Sequence, residues 1–239
     1  MYTEFAEIYD NVMTSLNYDD WYNFIKNILK EINFNGTDIM DLGCGTGEIT
    51  LRFAKDGYKV MGVDLSSDML RIADSKFKKE NFNIPLVCQD MEELRLPVEV
   101  DLVVALFDTM NYLLSEESLE KTLENVYLHL PKGGYFIFDL ATRKLMDDLF
   151  CSGNYIEDRE DIFINWEHFF DKEEKIDRIY TTFFVKQKDN IYKRFEEIHD
   201  KRIYSTEEIE NSIKKVGFKS KKYQNSELAG ERVFWLLEK

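Results

Sequence analysis

Several residue types that commonly build functional sites are scarce in this chain. Its 239 residues include only 3 Cys, 3 Pro and 3 His. The cysteines, Cys44, Cys88 and Cys151, are widely spaced and form no C-x-x-C pair. The sequence therefore suggests neither a zinc site nor a disulfide framework. No apolar run comes near the roughly 18 residues that a transmembrane helix needs.

Positive charge is also in short supply. The chain has 31 Lys and Arg against 46 Asp and Glu, a formal net charge of −15. Nucleic acids and anionic membranes attract clustered Lys and Arg, so neither is an expected partner. The acidic excess either serves solubility alone or favours cationic or neutral small substrates. Glu4, Glu7 and Asp10 do not fit a secretory signal, which makes a reducing cytoplasm the expected compartment.

Strand-like and helix-like segments alternate through most of the chain. Apolar periodicity predicts strands near 38–42, 58–63, 84–88, 100–106 and 134–140. It predicts helices near 47–56, 67–80, 115–130 and 142–150. Strands separated by helices favour right-handed crossovers and a parallel sheet. Two strands near 218–224 and 232–238, after a helix capped by Ser205 and Glu208, complete a doubly wound, seven-stranded, mostly parallel sheet.

The hydrophobic pattern changes in residues 161–204, where apolar residues alternate with polar ones at a period of two. This pattern predicts an inserted antiparallel sheet of three strands. Before the first core strand, residues 1–35 carry two helical patterns. The second of these is expected to begin after Asp19 or Asp20. The predicted organisation is an N-terminal helical cap (1–35), a core (36–150 and 205–239) and an insertion (151–204).

The segment from Asp41 to Glu48, DLGCGTGE, is the most informative in the sequence. It lies between a predicted strand and a predicted helix, where a Gly-rich turn lets the backbone approach a ligand closely. Its G-x-G-x-G spacing is neither the G-x-G-x-x-G dinucleotide fingerprint nor a phosphate-binding loop. Asp64 ends the next strand. Such a carboxylate either caps the following helix or accepts hydrogen bonds from both ribose hydroxyls of a nucleoside.

These two segments, with Cys88-Gln89-Asp90-Met91 and Leu106 to Tyr112, resemble in order and spacing the S-adenosylmethionine (SAM)-dependent methyltransferases with a Rossmann-like fold. The alternatives are a nicotinamide oxidoreductase or a remnant that binds no cofactor. The resemblance implies that the glycines hold the methionine end of SAM, that Asp64 binds the ribose and that Asp90 reaches the adenine amino group. Asp41 either binds the methionine amino group, directly or through water, or only braces the loop. The residues that the resemblance places at the cofactor are Tyr9, Asp41, Gly43, Cys44, Gly45, Thr46, Gly47, Asp64, Leu65, Met69, Asp90, Met91, Leu106, Phe107 and Asp108.

The N-terminal pattern Tyr2-x-x-Phe5-Ala6-x-x-Tyr9-Asp10 is similar to the start of small-molecule methyltransferases of this superfamily. In those enzymes such a segment folds over the cofactor. The alternative is an ordinary amphipathic helix that packs on the core. The resemblance also implies that the insertion at 151–204 forms a lid that shapes the acceptor pocket.

Methyl transfer from a sulfonium requires an aligned nucleophile and no covalent enzyme intermediate, and it requires a base only if the acceptor must first lose a proton. Tyr112 is the first catalytic candidate because it follows a strand that ends at the cofactor. His199 is the second, because Glu197 lies on the same strand face and could tune it as a base. The alternative is that Lys193, Glu197, His199 and Lys201 form a solvent-facing strand. Further acceptor-site candidates are Asn111, Trp166, His168 and Arg202, whereas His129 is predicted to be a surface residue.

The absence of several motifs narrows the range of possible methyl acceptors. The chain has no Pro-Pro pair and no Pro-Cys, which argues against the amino-methylating enzymes of DNA, RNA or protein glutamine and against cytosine-C5 chemistry. Asp139 is followed by Leu140, so the Asp-Asn pair of metal-dependent catechol-type enzymes is absent and no metal site is expected. The resulting prediction is transfer of a methyl group from SAM to nitrogen or oxygen of a small molecule. The alternatives are a non-catalytic SAM-binding sensor and an RNA methyltransferase with a basic partner.

Overall fold

The computed structural model describes residues 5–150, 154–188, 191–225, 227–228 and 230–239. Its helices are α1 (Phe5–Val12), α2 (Tyr18–Glu31), α3 (Glu48–Lys55), α4 (Ser67–Lys79), α5 (Glu116–His129), α6 (Arg143–Leu149) and α7 (Thr206–Val216). Its strands are β1 (Asp38–Leu42), β2 (Lys59–Asp64), β3 (Leu86–Cys88), β4 (Leu102–Ala105), β5 (Tyr135–Ala141), β6 (Asn154–Asp158), β7 (Ile162–Asp171), β8 (Ile176–Lys186), β9 (Tyr192–Arg202), β10 (Lys219–Asn225) and β11 (Arg232–Glu238). Tyr2, Cys151 and the predicted boundary at residue 151 lie outside the described residues.

The larger sheet has seven strands in the order β10-β11-β5-β4-β1-β2-β3. Strands β1 to β5 pair in parallel, and β11 runs antiparallel between β5 and β10. This confirms the predicted doubly wound, mostly parallel α/β sheet. The apolar runs predicted this correctly because a parallel strand is buried on both faces. In β4, Val103 packs with α5 and α7 on one face, whereas Leu102 packs with α2 and α3 on the other.

The chain reverses its winding direction between the neighbouring strands β1 and β4. In open α/β sheets ligands bind beyond the carboxyl ends of the strands at such a switch point. The Gly-rich turn follows β1, Asp64 ends β2, and the segment from Leu106 to Tyr112 follows β4. The fold thus brings the sequence motifs to one edge of the sheet.

The second sheet contains strands β6 to β9 in that order, all antiparallel. It therefore has four strands where the sequence predicted three. The additional strand β6 has the sequence NYIED and is largely exposed at the sheet edge. It lacks the buried alternating residues that identify a strand. On β8, the odd-numbered residues from Asp177 to Phe183 are buried, so this is the inner face of the sheet.

The N-terminal helices connect the two sheets. On α1, the ring of Phe5 lies 5.0 Å from that of Phe183 on the inner face of the second sheet. Helix α2 begins at Tyr18 rather than after Asp19 or Asp20. The side chain of Asn17 accepts hydrogen bonds from the backbone of Asp19 and Asp20, so Asn17 is the N-cap. None of the helices in the described ranges is long and apolar enough to span a bilayer.

Candidate active site

The Gly-rich turn depends on backbone conformations that favour glycine. Gly43, Gly45 and Gly47 have φ angles of +75°, +54° and +80°. A Cβ at Gly43 would lie 2.4 Å from Thr109, and one at Gly47 would lie 2.4 Å from Phe77. At Gly45, a Cβ would meet no described atom within 4 Å. Packing therefore requires two of the glycines, whereas the turn leaves open space against Gly45 that a ligand could occupy.

Asp64 ties the two loops of the site together. One carboxylate oxygen accepts a hydrogen bond from the Gly45 amide at 2.8 Å, and the other accepts one from the Ser66 amide at 2.8 Å. Burial raises the pKa of this carboxyl, and the backbone donors oppose that rise. Each oxygen retains a further lone pair for a ligand hydroxyl. Next to it, Leu65 exposes 63% of its surface at the sheet edge.

Asp41 lies beneath the Gly-rich turn and is almost fully buried. Its carboxylate accepts a 2.6 Å hydrogen bond from the Thr50 hydroxyl. Burial raises the pKa of Asp41 to about 7. The bond to Thr50 is compatible with bracing of the loop, and the role of Asp41 toward the methionine amino group stays a prediction. Cys44 is also buried, and burial raises its thiol pKa well above the ordinary value.

The turn after β3 is held from below by helix α5. The Asp90 carboxylate accepts a hydrogen bond from the Glu92 amide at 2.9 Å and caps a short 3₁₀-helical turn, Met91–Glu93. The Asn125 side chain donates to the carbonyl of Met91 at 3.1 Å. Asp90 and Met91 are half-buried beyond the carboxyl end of β3, at the same edge of the sheet as the Gly-rich turn.

Helix α1 is attached directly to the Gly-rich turn. The Thr46 hydroxyl donates to Asp10 at 2.6 Å, and the Lys76 ammonium lies 2.8 Å from the same carboxylate. The ring of Tyr9 packs against Phe5, and burial, together with the charge of Asp108, raises its pKa. Met69 is buried in the cluster that joins α1 to the second sheet. The N-terminal helix therefore covers the turn.

After β4, two residues adopt left-handed conformations: Phe107 has φ +61° and Asp108 has φ +54°. The side chains of Leu106 and Phe107 pack inward, and the ring of Phe107 lies 4.2 Å from that of Trp21. Their side chains therefore support the edge of the site from the core side. Strained non-glycine backbone of this kind is maintained only where surrounding contacts enforce it.

Asp108 is the centre of a buried charge network. Its carboxylate lies 2.6 Å from the Arg232 guanidinium and also pairs with Lys201 of β9, while Arg232 lies 2.8 Å from Asp139. Burial opposes ionisation of Asp108, but Lys201 and Arg232 together lower its pKa. Sequence reasoning missed this network. The signal was available, since Asp139 and Arg232 are charged residues in otherwise apolar strands.

Tyr112 and His199, separated by 87 positions in sequence, meet in the structure. The Tyr112 hydroxyl lies 3.3 Å from Nδ1 of His199. Burial, followed by the positive charge of Lys201, lowers the pKa of His199 to about 4. The suggested solvent-facing arrangement is wrong for His199, which is 5% exposed, because the odd-numbered residues of β9 lie on the inner face.

The other candidates divide into structural residues and residues on the inner face. Asn111 donates to the Arg202 carbonyl at 2.7 Å and accepts from the Ala141 amide at 2.9 Å, so its amide joins backbone segments. The Arg202 guanidinium lies 3.1 Å from the Glu208 carboxylate. Trp166 is half-buried on the inner face.

Two histidines outside the Tyr112 pair have protein partners. On the inner face, Nδ1 of His168 lies 3.0 Å from the Asp177 carboxylate. The predicted surface position of His129 is wrong. This residue is 5% exposed, and its ring bonds to the Asn125 carbonyl at 2.7 Å and to the backbone of Leu96. The described residues contain no group of three or more His, Cys, Asp or Glu placed to hold a metal ion.

Comparison with known proteins agrees with this arrangement of motifs. A family model for a methyltransferase domain matches residues 39–134. The chain is 33% identical over 225 residues to a putative methyltransferase of Geobacillus sp. (strain WCH70), covering 91% of this chain and 88% of that protein. It is also 33% identical over 219 residues to a putative methyltransferase of Bacillus subtilis (strain 168), covering 91% and 86%.

Solved structures extend the match to the whole fold. A SAM-dependent methyltransferase from Clostridium acetobutylicum ATCC 824 superposes with a TM-score of 0.88 at 31% identity, covering 99% of this chain and 98% of that one. A SAM-bound amino pentose methyltransferase from Micromonospora echinaspora has the same fold, with a TM-score of 0.75 at 18% identity, covering 93% and 92%. The predicted family and cofactor are thereby confirmed: the chain belongs to the S-adenosylmethionine-dependent methyltransferases.

Proposed function

We propose that this enzyme transfers the methyl group of SAM to a nitrogen or oxygen atom of a small-molecule acceptor by in-line displacement. The observation that carries the proposal is the meeting of Tyr112 and His199 at the ligand-binding edge of the parallel sheet. When bound, SAM supplies an activated methyl group. The protein therefore has to bind the donor, align the acceptor and exclude water.

The residues around the Gly-rich turn are suited to hold the donor. The open space against Gly45 supports close approach by the methionine end, and the free lone pairs of Asp64 support hydrogen bonds from both ribose hydroxyls. The exposed Leu65, with Asp90 and Met91, supports an adenine position beyond β2 and β3. Tyr9 on α1 would cover the donor site, and Met69 lies in the same buried cluster as α1.

The pair of Tyr112 and His199 is suited to orienting an acceptor. With a pKa of about 4, His199 is neutral at physiological pH and can accept the phenolic hydrogen bond of Tyr112. The phenol oxygen then keeps lone pairs toward an N–H or O–H of the acceptor. A base this weak is poorly matched to proton removal near pH 7. We therefore infer that the pair aligns the nucleophile, and that any proton is lost after or outside the transfer step.

The second sheet, β6 to β9, is proposed to be the lid of this acceptor site, since its inner face presents His199 to Tyr112. Related proteins act at both nitrogen and oxygen. One structural neighbour is a sugar N-methyltransferase from Streptoalloteichus sp ATCC 53650, and one relative at 27% identity is a malonyl-[acyl-carrier protein] O-methyltransferase of Priestia megaterium. These descriptions are compatible with a small acceptor and leave both target atoms open.

The direct test measures SAM binding by calorimetry and S-adenosylhomocysteine release with a panel of amines, hydroxy acids and sugars. We expect micromolar-range SAM binding and release with at least one class of acceptor. Tyr112→Phe and His199→Gln should reduce turnover by roughly 100-fold through loss of acceptor alignment, while SAM affinity is preserved. Binding without release for any acceptor would instead support a SAM sensor, and release that required RNA with a basic partner would support an RNA methyltransferase.

A further inference from the structure

Two buried and uncharged polar atoms on the inner face of the second sheet have no hydrogen-bond partner within the described part of the chain. They are Nε1 of Trp166 and the hydroxyl oxygen of Thr181. Thr181 is 1% exposed, so water does not satisfy it from the surface. An unsatisfied buried donor or acceptor is destabilising, and native structures contain few of them. A pair at adjacent positions therefore needs a physical reason.

The two side chains are neighbours. Trp166 on β7 and Thr181 on β8 are directly opposed in the antiparallel register. Opposed residues lie on the same sheet face with Cβ atoms about 4.5–5.5 Å apart. Both therefore lie in one row across the inner face, and Trp166 packs against the buried cluster that includes α1. One ligand group could contact the indole N–H and the hydroxyl together.

This row lies next to the proposed catalytic pair. Ile179, two residues before Thr181 on the same face, is opposed to His199 on β9. Thr181 is thus a diagonal neighbour of His199, a relation that separates residues by about 7–8 Å. Nδ1 of His199 is in turn 3.3 Å from the Tyr112 hydroxyl. A small acceptor that reached Tyr112 with its reactive atom could place a second group at Trp166 and Thr181.

The donors and acceptors of this row fit a ligand hydroxyl. The indole N–H only donates, whereas the threonine hydroxyl both donates and accepts, so a ligand hydroxyl can accept from Trp166 and bond to Thr181 at the same time. We propose that Trp166 and Thr181 form a subsite that binds a hydroxyl group of the methyl acceptor. This proposal rests on the proposed function.

Other polar atoms on this face already have charged neighbours. Asp177 lacks a hydrogen bond at one carboxylate oxygen, but that oxygen lies 3.7 Å from the Arg143 guanidinium. Its other oxygen bonds to His168. Ion pairing accounts for these atoms without a ligand. Trp166 and Thr181 have no such compensation, which is why the subsite is assigned to them.

The first test is thermal denaturation of Thr181→Val, with Thr182→Val on the outer face as the matched control. If the Thr181 hydroxyl has no partner in the fold, valine at this position should leave the midpoint unchanged or raise it. A fall in the midpoint beyond that of T182V would show that the hydroxyl is bonded within the protein and would overturn the subsite. Because thermal denaturation needs no acceptor, it tests the subsite even if no probe is methylated.

The second test compares three probes that share one skeleton: cyclohexylamine, 2-aminocyclohexanol and 2-aminocyclohexanecarboxylate. The wild type should prefer the amino alcohol, and T181V should lower kcat/KM for it by about tenfold or more, mainly through KM. Cyclohexylamine should be unaffected, T181S should retain the preference, and Trp166→Phe should weaken it. Equal effects on all probes, or a preference for the carboxylate, would contradict the proposal. Failure of the wild type to release S-adenosylhomocysteine with any acceptor would count against the function instead.

Discussion

Asp64 has a structural role in the fold and a proposed role in binding the donor. Its carboxylate fixes the Gly-rich turn and the start of α4 through two backbone amides, and it faces the region proposed for the ribose. The sequence indicated both tasks as alternatives, helix cap or ribose ligand. The structure makes them compatible, because a carboxylate has about four acceptor positions and the backbone uses two.

Asp64→Ala should weaken SAM binding by about 3–6 kcal/mol, since two hydrogen bonds to a charged acceptor are lost at roughly 1.5–3 kcal/mol each. Asp64→Asn should lie between Ala and the wild type because it keeps one acceptor oxygen. Calorimetry with SAM measures the difference. Asp74→Ala, which removes a carboxylate paired with Lys78 on α4, is the control. Unchanged affinity in D64A would show that the ribose assignment is wrong.

Asp41 gives a prediction for stability as a function of pH. Its folded pKa of about 7 lies above the ordinary value of 3.8, so the folded protein keeps a proton that the unfolded chain releases between these values. Stability therefore falls as pH rises through this window. Asp41→Asn removes the titration, so it should gain stability relative to the wild type between pH 4 and pH 8, by up to ~4 kcal/mol. Urea denaturation at both pH values measures this, and a constant difference would contradict it.

The placement of a residue at the edge of the sheet was predictable where a motif fixed its position, whereas contacts between distant strands were not. Tyr112 and His199 were both singled out from sequence, but only the register of β9 shows that they are in contact. Asn111 and Arg202 are also polar and were candidates for the acceptor site. In the structure the Asn111 amide bonds to backbone, and the Arg202 guanidinium pairs with Glu208. Side-chain chemistry alone does not reveal which partner a residue will find.

At the scale of elements, the strands and helices of the core were predicted closely because burial on both faces leaves a clear apolar pattern. Strand β6 was missed because an exposed edge strand needs no such pattern. Helix α1 was left between two interpretations, a cofactor cover and an ordinary amphipathic helix. Its bonds through Asp10 to Thr46 and Lys76 attach it to the Gly-rich turn.

Asp10→Asn should loosen α1. The change removes a charged acceptor shared by Thr46 and Lys76, a loss of roughly 1–3 kcal/mol. Hydrogen exchange in residues 5–12 should accelerate by about tenfold or more, while α2 keeps its protection. Glu7→Gln is the control on the same helix, because Glu7 makes only a 3.4 Å exposed pair with Arg71. Equal acceleration in both variants would show that Asp10 is not the attachment point.

At the scale of the whole molecule, the charge network joins residues from four separate segments of the sequence. Asp108 follows β4, Asp139 lies in β5, Arg232 begins β11 and Lys201 comes from the second sheet. Two carboxylates and two cations balance, which makes burial of all four tolerable. Composition gave the net charge of −15 but could not indicate which charges are buried. That depends on strand order in the folded sheets.

Arg232→Met should destabilise the protein by about 3–5 kcal/mol, because it leaves two buried carboxylates with one remaining cation. The loss should be smaller at pH 5 than at pH 8. Burial already raises the pKa of Asp139 to about 6, and removal of the guanidinium raises it further, so protonation relieves the unpaired charge at low pH. Urea denaturation at both pH values measures the effect.

Two further variants separate this buried network from ordinary ion pairing. Arg178→Met removes the bidentate pair with Asp200 on the exposed face of the second sheet, where solvent screening makes only a small loss of stability expected. Adding Asp139→Asn to Arg232→Met should recover part of the lost stability, since it removes one unpaired carboxylate. If R232M and R178M lost stability equally, or if the double variant were the least stable of all, the buried charges of the network would not be the source of its stabilising effect.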